Sequence, residues 1–333
     1  MKEFRWINSI IEKKDYFYCF PGYGNALYRV SMENFVVEKV AEFENQERAT
    51  WSLVELNNVI CCICNKNSRI YTYEVNTKEK ATVDAQINTE IMEAFVFADK
   101  IWFIPRDLMD NLYYITISDG IFHEVRGWKE EIQRLNIIER VFRWFRDNGE
   151  VYFVLMDKSY ILKYNLKTYK LTELTPPLSK PLYDFVIHKK HLFLIDADRK
   201  SIYCWDIRND EIKEIKGDGK TAYSRMVNIG DSILIDTDTG VEIYTDGRIV
   251  KTQIAINKGS SKSAFIKAIK YKSSWLLLPW GNEEIVILDE NSIYGSRNLG
   301  VSARLTEKRI LIESDISLNN YIDFLNNNER KLY

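Results

Sequence analysis

The stretch DFVIHKKHLFLIDADRKSIYCWDIRNDEIKEI (184–215) packs four short runs into 32 residues. DFVIHKK (184–190) runs straight into HLFLID (191–196), ADRK leads to SIYCWDI (201–207), and RND leads to EIKEI (211–215). Runs of five to seven β-branched or aromatic residues with polar turns between them read as strands joined by hairpins. The second run recurs along the chain as YFYCFP (16–21), VICCIC (59–64), IWFIP (101–105), VYFVL (151–155), SILID (232–236), SWLLLP (274–279) and RILIE (309–313). The mean spacing is about 42 residues, the period of a four-stranded repeat. The third run recurs as ALYRV (26–30), IYTYEV (70–75), LYYITI (112–117), YILKYNL (160–166), VEIYT (241–245) and EIVILD (284–289).

Four strands per repeat, copied seven or eight times with almost no helical periodicity, predict an all-β fold, a β-propeller. A single sheet cannot cover both of its faces, but blades stacked face to face can. Near-continuous apolar runs such as VICCIC fit strands buried on both sides. Turn pairs Asn57-Asn58, Asn148-Gly149 and Gly230-Asp231 sit between runs one and two, as tight hairpins require. Seven units fill roughly residues 4–299. The segment 301–315 matches runs one and two of another unit, with RILIE as its second strand. The reading is therefore seven complete four-stranded blades plus an incomplete eighth, forming one domain over 1–333. The alternative is a seven-bladed ring with a docked C-terminal hairpin and helix, because 317–328 reads equally as a strand or an amphipathic helix. GWKEEIQRLNIIER (127–140) lengthens one step and predicts a helical insertion.

Composition narrows the classes. Lys and Arg total 46 against 48 Asp and Glu, a net charge of −2, which argues against a general grip on nucleic acid or anionic membrane. No apolar run is long enough to span a bilayer, and the first residues show no signal-peptide pattern. Five cysteines fit reduced thiols, so the expectation is a cytoplasmic, monomeric protein. Richness in Ile, Asn, Lys and Tyr suggests a bacterial source.

The runs IWFIP…NLYYITI and SWLLLP…EIVILD resemble the bacterial kelch-like propeller superfamily, in which a W-F-x-P strand precedes a Y-D strand. The kelch double glycine is missing from every unit, as are the Gly-His and Trp-Asp pairs of WD40 repeats. The resemblance implies the architecture and no activity, since propellers host hydrolases, lyases, oxidases and binding scaffolds alike.

Candidate ligand-binding residues come from aligning the starts of the first strands. Trp6, Trp51, Ala94, Trp144, Asp184, Arg225, Lys267 and Arg304 fall in one column, and Phe4-Arg5-Trp6 repeats as Phe142-Arg143-Trp144. A ring would gather them around one axis as an aromatic and cationic funnel, its basic heads reaching water. The structural alternative is that the Trp residues wedge between blades and the Arg residues brace them. In the second-to-third strand loops, Asp196-Ala197-Asp198-Arg199 and Asp236-Thr237-Asp238 sit at matching positions in adjacent units. Asp198 and Arg199 join the ligand-binding candidates. Asp184, Asp196 and Asp236 are the catalytic candidates, as acid and base or as ligands to a hard cation; turn capping is the alternative.

Cys61, Cys62 and Cys64 share one strand, with Cys62 and Cys64 on one face. Cys19 and Cys204 stand alone, so no tetrahedral zinc set forms and no metal or cofactor is expected. His123, His188 and His191 are the only histidines, too few and too scattered for a His-dependent triad. The leading expectation is a non-catalytic binding scaffold whose loop-built face meets a protein, peptide or glycan. The alternative is a propeller lyase, hydrolase or epimerase using rim carboxylates. Treatment with chelator plus reductant should leave stability within about 1 kcal/mol, where loss of a structural metal or disulfide would cost several. A large drop in melting temperature would contradict inert cysteines.

Overall fold

The computed structural model describes residues 7–21, 24–34, 36–44, 51–66, 69–85, 87–215, 219–252, 265–279, 284–289 and 307–311. Trp6, Arg304 and the segment 317–328 lie outside the described residues. Seven four-stranded antiparallel sheets follow one another along the chain. Blade 1 is Ile7–Glu12, Tyr16–Pro21, Ala26–Ser31 and Val37–Glu42. Blade 2 is Trp51–Leu56, Val59–Cys64, Arg69–Glu74 and Lys80–Asp84. Blade 3 is Ile91–Phe97, Lys100–Pro105, Tyr113–Thr116 and Phe122–Glu124. Blade 4 is Val141–Asp147, Glu150–Leu155, Ile161–Asn165 and Lys170–Leu174. Blade 5 is Leu182–His188, His191–Asp196, Ile202–Asp206 and Glu211–Ile215. Blade 6 is Tyr223–Ile229, Ser232–Thr237, Gly240–Thr245 and Arg248–Lys251. Blade 7 is Phe265–Tyr271, Ser274–Pro279, Glu284–Asp289 and Glu307–Leu311.

The last strand corrects the count. RILIE does not begin an eighth unit as its second strand. Residues Glu307–Leu311 pair with Glu284–Leu288 as the outer strand of blade 7, so among the described residues there are seven blades. The matching hydrophobic pattern cannot tell an inner strand from an outer one; a chain segment ahead of it supplies that distinction only by pairing.

Each blade interface holds its own apolar cluster. In blade 4, Val151, Phe153 and Leu155 join Trp102 and Ile104 of blade 3. The alternating Tyr152 and Val154 join Leu192, Leu194 and Trp205 of blade 5. The period of two in a strand thus sends successive side chains into opposite interfaces, which is why second strands are buried almost throughout. Cys62 and Cys64 face blade 1, and Cys61 faces blade 3. Blades 7 and 1 meet through Tyr271, Leu276, Leu278 and Ile285 against Phe17, Cys19 and Val30. Among the described residues no blade borrows a strand from the other end of the chain. Side-chain packing closes the ring, helped by the Tyr271 hydroxyl bonding to the carbonyls of Lys14 at 2.9 Å and Lys13 at 3.2 Å.

The insertion forms a helix over Trp128–Arg134. It is pinned by the Trp128 indole N–H, which donates to the carbonyls of Leu108 and Asp110 at 3.0 and 2.9 Å.

The hairpins obey turn chemistry. Asn57 and Asn58 have φ of 48° and 68°, and Asn148 and Gly149 have 46° and 83°, the mirror-image turn that matches strand twist. A Cβ on Gly149 would lie 2.3 Å from the Phe97 ring, so that glycine is also required by packing. Blade 5 makes the same turn with Lys189 and Lys190, at 48° and 68°. Side chains with ordinary Cβ sterics pay for that conformation. Lys189→Asn with Lys190→Gly should therefore stabilise the protein by about 1 kcal/mol. Urea denaturation with an unchanged slope checks it; a loss of stability would contradict the assigned turn.

Candidate functional site

The innermost strands carry the polar residues nearest the axis. Hairpin pairing fixes their true alignment: Ser52, Glu93, Arg143, Asp184, Arg225 and Lys267 lie opposite Ile63, Ile104, Val154, Ile195, Asp236 and Leu278. In blades 4 to 7 a β-bulge sits just before this position. Asp184, Arg225 and Lys267 were placed correctly by repeat arithmetic. Trp51, Ala94 and Trp144 were each one residue out, and one residue turns a side chain to the other face.

The slip decides Trp51. It is buried between blades 1 and 2 against Phe20, ring centroids 4.1 Å apart, and Tyr71. It is interblade packing and is not among the residues that line the channel cavity. Trp144 is half-buried, and its indole N–H donates to Glu93 Oε2 at 2.7 Å.

Serine and aspartate in the column cap the exposed sheet edge of the next blade. Ser9 Oγ accepts from the Leu53 N–H at 2.6 Å, Ser52 Oγ from Ala94 at 2.9 Å, and Asp184 Oδ2 from Met226 at 2.8 Å. Unpaired strand edges need such partners.

Blades 3 to 7 put charge at this level. Asp184 is almost fully buried, and its Oδ1 faces Arg225 Nη1 at 3.4 Å and Arg143 Nε at 3.7 Å. Arg225 is itself buried, contrary to the expectation that its head reaches water. Burial raises the Asp184 carboxyl against the pull of both guanidiniums. Burial and the Arg225 charge bring Arg143 down to about 10. Glu93, from blade 3, bonds Lys267 of blade 7 across 174 residues of sequence. Burial pushes the Glu93 carboxyl up, but Lys267, Arg146 and the Trp144 bond outweigh it, and the group lies below its ordinary 4.5.

Between these networks lies a cavity of about 340 Å³ lined by Glu93, Trp144, Phe145, Arg146, Asp184, Phe185, Arg225, Lys267 and Trp275, among others. Almost all of its wall comes from blades 4 to 7. Among the described residues, four cations (Arg143, Arg146, Arg225, Lys267) stand at or behind it against Glu93 and Asp184, with Asp236 buried opposite Arg225. Arg146 also lies over the Phe95 ring at 4.1 Å.

The loop carboxylates do not line this cavity. Asp196 pairs opposite Leu182 while Asp236 pairs opposite Arg225. Their positions differ by one residue, so they are not the matched pair the repeat predicted. Asp196 is buried and bound by Lys180 at 3.3 Å; Asp198 is exposed and shares that lysine. Asp236 is fully buried in a position that holds Ile195 and Leu278 in neighbouring blades. Arg199 braces blade 5 to blade 6 through the Tyr223 carbonyl at 2.7 Å and the Ser224 hydroxyl. His188 bonds Asn228, His191 sits at the hairpin beside the Lys189 carbonyl, and His123 stacks on Tyr114. None of the three lines the cavity. No cluster of metal-ligating side chains occurs among the described residues.

Reading residues singly missed Glu93, Arg143, Arg146 and Trp275. The steps of 41 residues from Arg143 to Asp184 and from Asp184 to Arg225 were the available signal.

A depressed carboxylate stabilises the fold above its unfolded value and loses that contribution as pH falls below it. Glu93 should therefore weaken the protein as pH drops from its ordinary 4.5 downward. Glu93→Gln should show a smaller loss across that window, measured by thermal melts at stepped pH. An identical pH profile in both proteins would contradict the assignment.

No protein-family model matches the chain, and no curated protein matches it. Solved structures do share the fold. YCF48 bound to D1 peptide aligns with a TM-score of 0.64 at 10% identity, over 84% of this chain and 92% of that one. Virginiamycin B lyase from Staphylococcus aureus aligns at 0.58 and 10%, over 84% and 93%. A histidine-to-alanine variant of that lyase is described as catalytically inactive. Kluyveromyces lactis Hsv2 aligns at 0.56 and 11%, over 89% and 95%. At these identities the likeness is of fold: over its described residues the chain is a seven-bladed β-propeller, similar in fold to a peptide-bound protein and to an enzyme.

Proposed function

We propose that this propeller is a non-catalytic binding scaffold that receives an acidic segment of a protein or peptide at its channel mouth. The observation that carries the reading is the charge gathered there: among the described residues, four cations stand around Glu93 and Asp184, which the scaffold already holds, with Asp236 buried opposite Arg225. Aromatic walls from Trp144, Phe145, Phe185 and Trp275 supply the contact area typical of interface anchors. A peptide-bound propeller of the same fold, YCF48, supports such a use of the architecture.

The enzyme alternative is weaker on specific grounds. Asp184 is engaged by two guanidiniums and a backbone N–H, and a general base needs a free lone pair near substrate. The similar lyase depends on a histidine, and no histidine of this chain reaches the cavity. Four of the five cysteines are buried, which fits the reading of a reducing, cytoplasmic setting.

Random peptides displayed on phage and panned over the purified protein should enrich acidic sequences. Arg146 is exposed, so Arg146→Ala should cost little stability while weakening the best peptide by about 1–2 kcal/mol. Enrichment without acidic bias, or binding indifferent to Arg146 and Trp144, would remove the channel mouth as the binding face.

A further inference from the structure

We propose that the channel cavity contains an oxyanion subsite centred on Arg225 and Lys267, which takes a single carboxylate or phosphate group. The proposal rests on the scaffold reading above and names the chemistry that the scaffold selects.

Arg225 is the strongest indication. Its side chain is nine-tenths buried, it lines the cavity, and among the described residues its one ion pair is the 3.4 Å approach of Nη1 to Asp184 Oδ1. Its Nε–H finds no acceptor. Arg143 stands behind Asp184 with its Nε at 3.7 Å and without an acceptor, while its Nη1 donates to the Phe142 carbonyl at 2.9 Å. Asp184 cannot satisfy either fork. Both guanidiniums share its Oδ1, and its Oδ2 is committed to the Met226 N–H. A guanidinium offers five donors in a rigid fork suited to two oxygens of one anion. Buried donors left unpaired are costly and rare, and Arg225 adjoins the cavity.

The second indication is Lys267. It lines the same cavity and reaches Glu93 across the channel; its ammonium carries three hydrogens, so one bond to Glu93 leaves others for a ligand. An arriving oxyanion would take the open Arg225 fork and approach Lys267, offsetting the surplus of positive charge. A cation would meet the opposite balance. The volume of about 340 Å³ and the apolar walls admit the stem behind one anionic head, such as an acidic side chain, a chain terminus or a phosphorylated residue.

The test uses the full chain with inorganic phosphate and succinate as separate probes, at ionic strength fixed with sodium chloride. Melting temperature and titration calorimetry are read together. One or both probes should give saturable stabilisation beyond chloride; phosphate alone points to a phosphorylated source and succinate alone to a carboxylate. Asp184→Asn keeps an acceptor for the Met226 N–H but removes the internal competitor, so affinity should rise about tenfold. Arg225→Lys keeps the charge and loses the fork, and should weaken binding at least about fivefold. Absence of saturable binding by both probes, in wild type and in Asp184→Asn, overturns the subsite. Acidic peptides that bind wild type and Arg225→Lys equally would also overturn it while leaving the scaffold reading intact.

Discussion

Everything in this molecule follows from sheets that must be covered on both faces. A four-stranded blade with apolar residues at every position of its second strand has no solvent face to offer. Alternate side chains of Val151–Leu155 therefore enter two different interfaces, and the same division recurs around the ring. The hydrophobic gain of burial, about 25 cal/mol per Å² of apolar surface, is collected interface by interface. Closure between blades 7 and 1 uses the same currency as every other contact, with Tyr271 bridging the junction.

That arrangement leaves one problem unsolved by apolar packing: the innermost strands expose an unpaired edge toward the channel. Column side chains of blades 1, 2 and 5 answer it by accepting hydrogen bonds from the following blade. Where the column changes from serine to charge, structural bonding and ligand chemistry become hard to separate. Asp184 both caps an N–H and holds two arginines. Glu93 ties blade 3 to blade 7 over the channel. The ring is chemically lopsided as a result, with small neutral column residues on blades 1 and 2 and a charged, cavity-bearing arc on blades 4 to 7.

On the proposed reading, the charged arc gives binding its physical basis. Carboxylates held by cations lower the cost of their own burial, and they surrender the freedom a general acid or base requires. Surplus cations with open donors retain the capacity to bind. Apolar walls beside them supply contact area.

Repeat period, strand type and burial on both faces were legible in the sequence because side-chain alternation and a spacing of about 42 residues are local properties. HLFLID and SWLLLP needed no partner to be read as core strands, and Cys62 and Cys64 were assigned to one face from parity alone. Asp184, Arg225 and Lys267 were also found by counting. Trp51 and Trp144 each fall one position off the register of Asp184, Arg225 and Lys267, which only hairpin pairing reveals; Trp51 packs between blades, whereas Trp144 lines the cavity. RILIE read as a second strand because apolar pattern does not encode position in a sheet; its pairing with Glu284–Leu288 made it an outer strand. The sequence by itself determined that blades form. Ring closure decided which charges meet, because it brings Glu93 and Lys267 together across a channel that no local pattern describes.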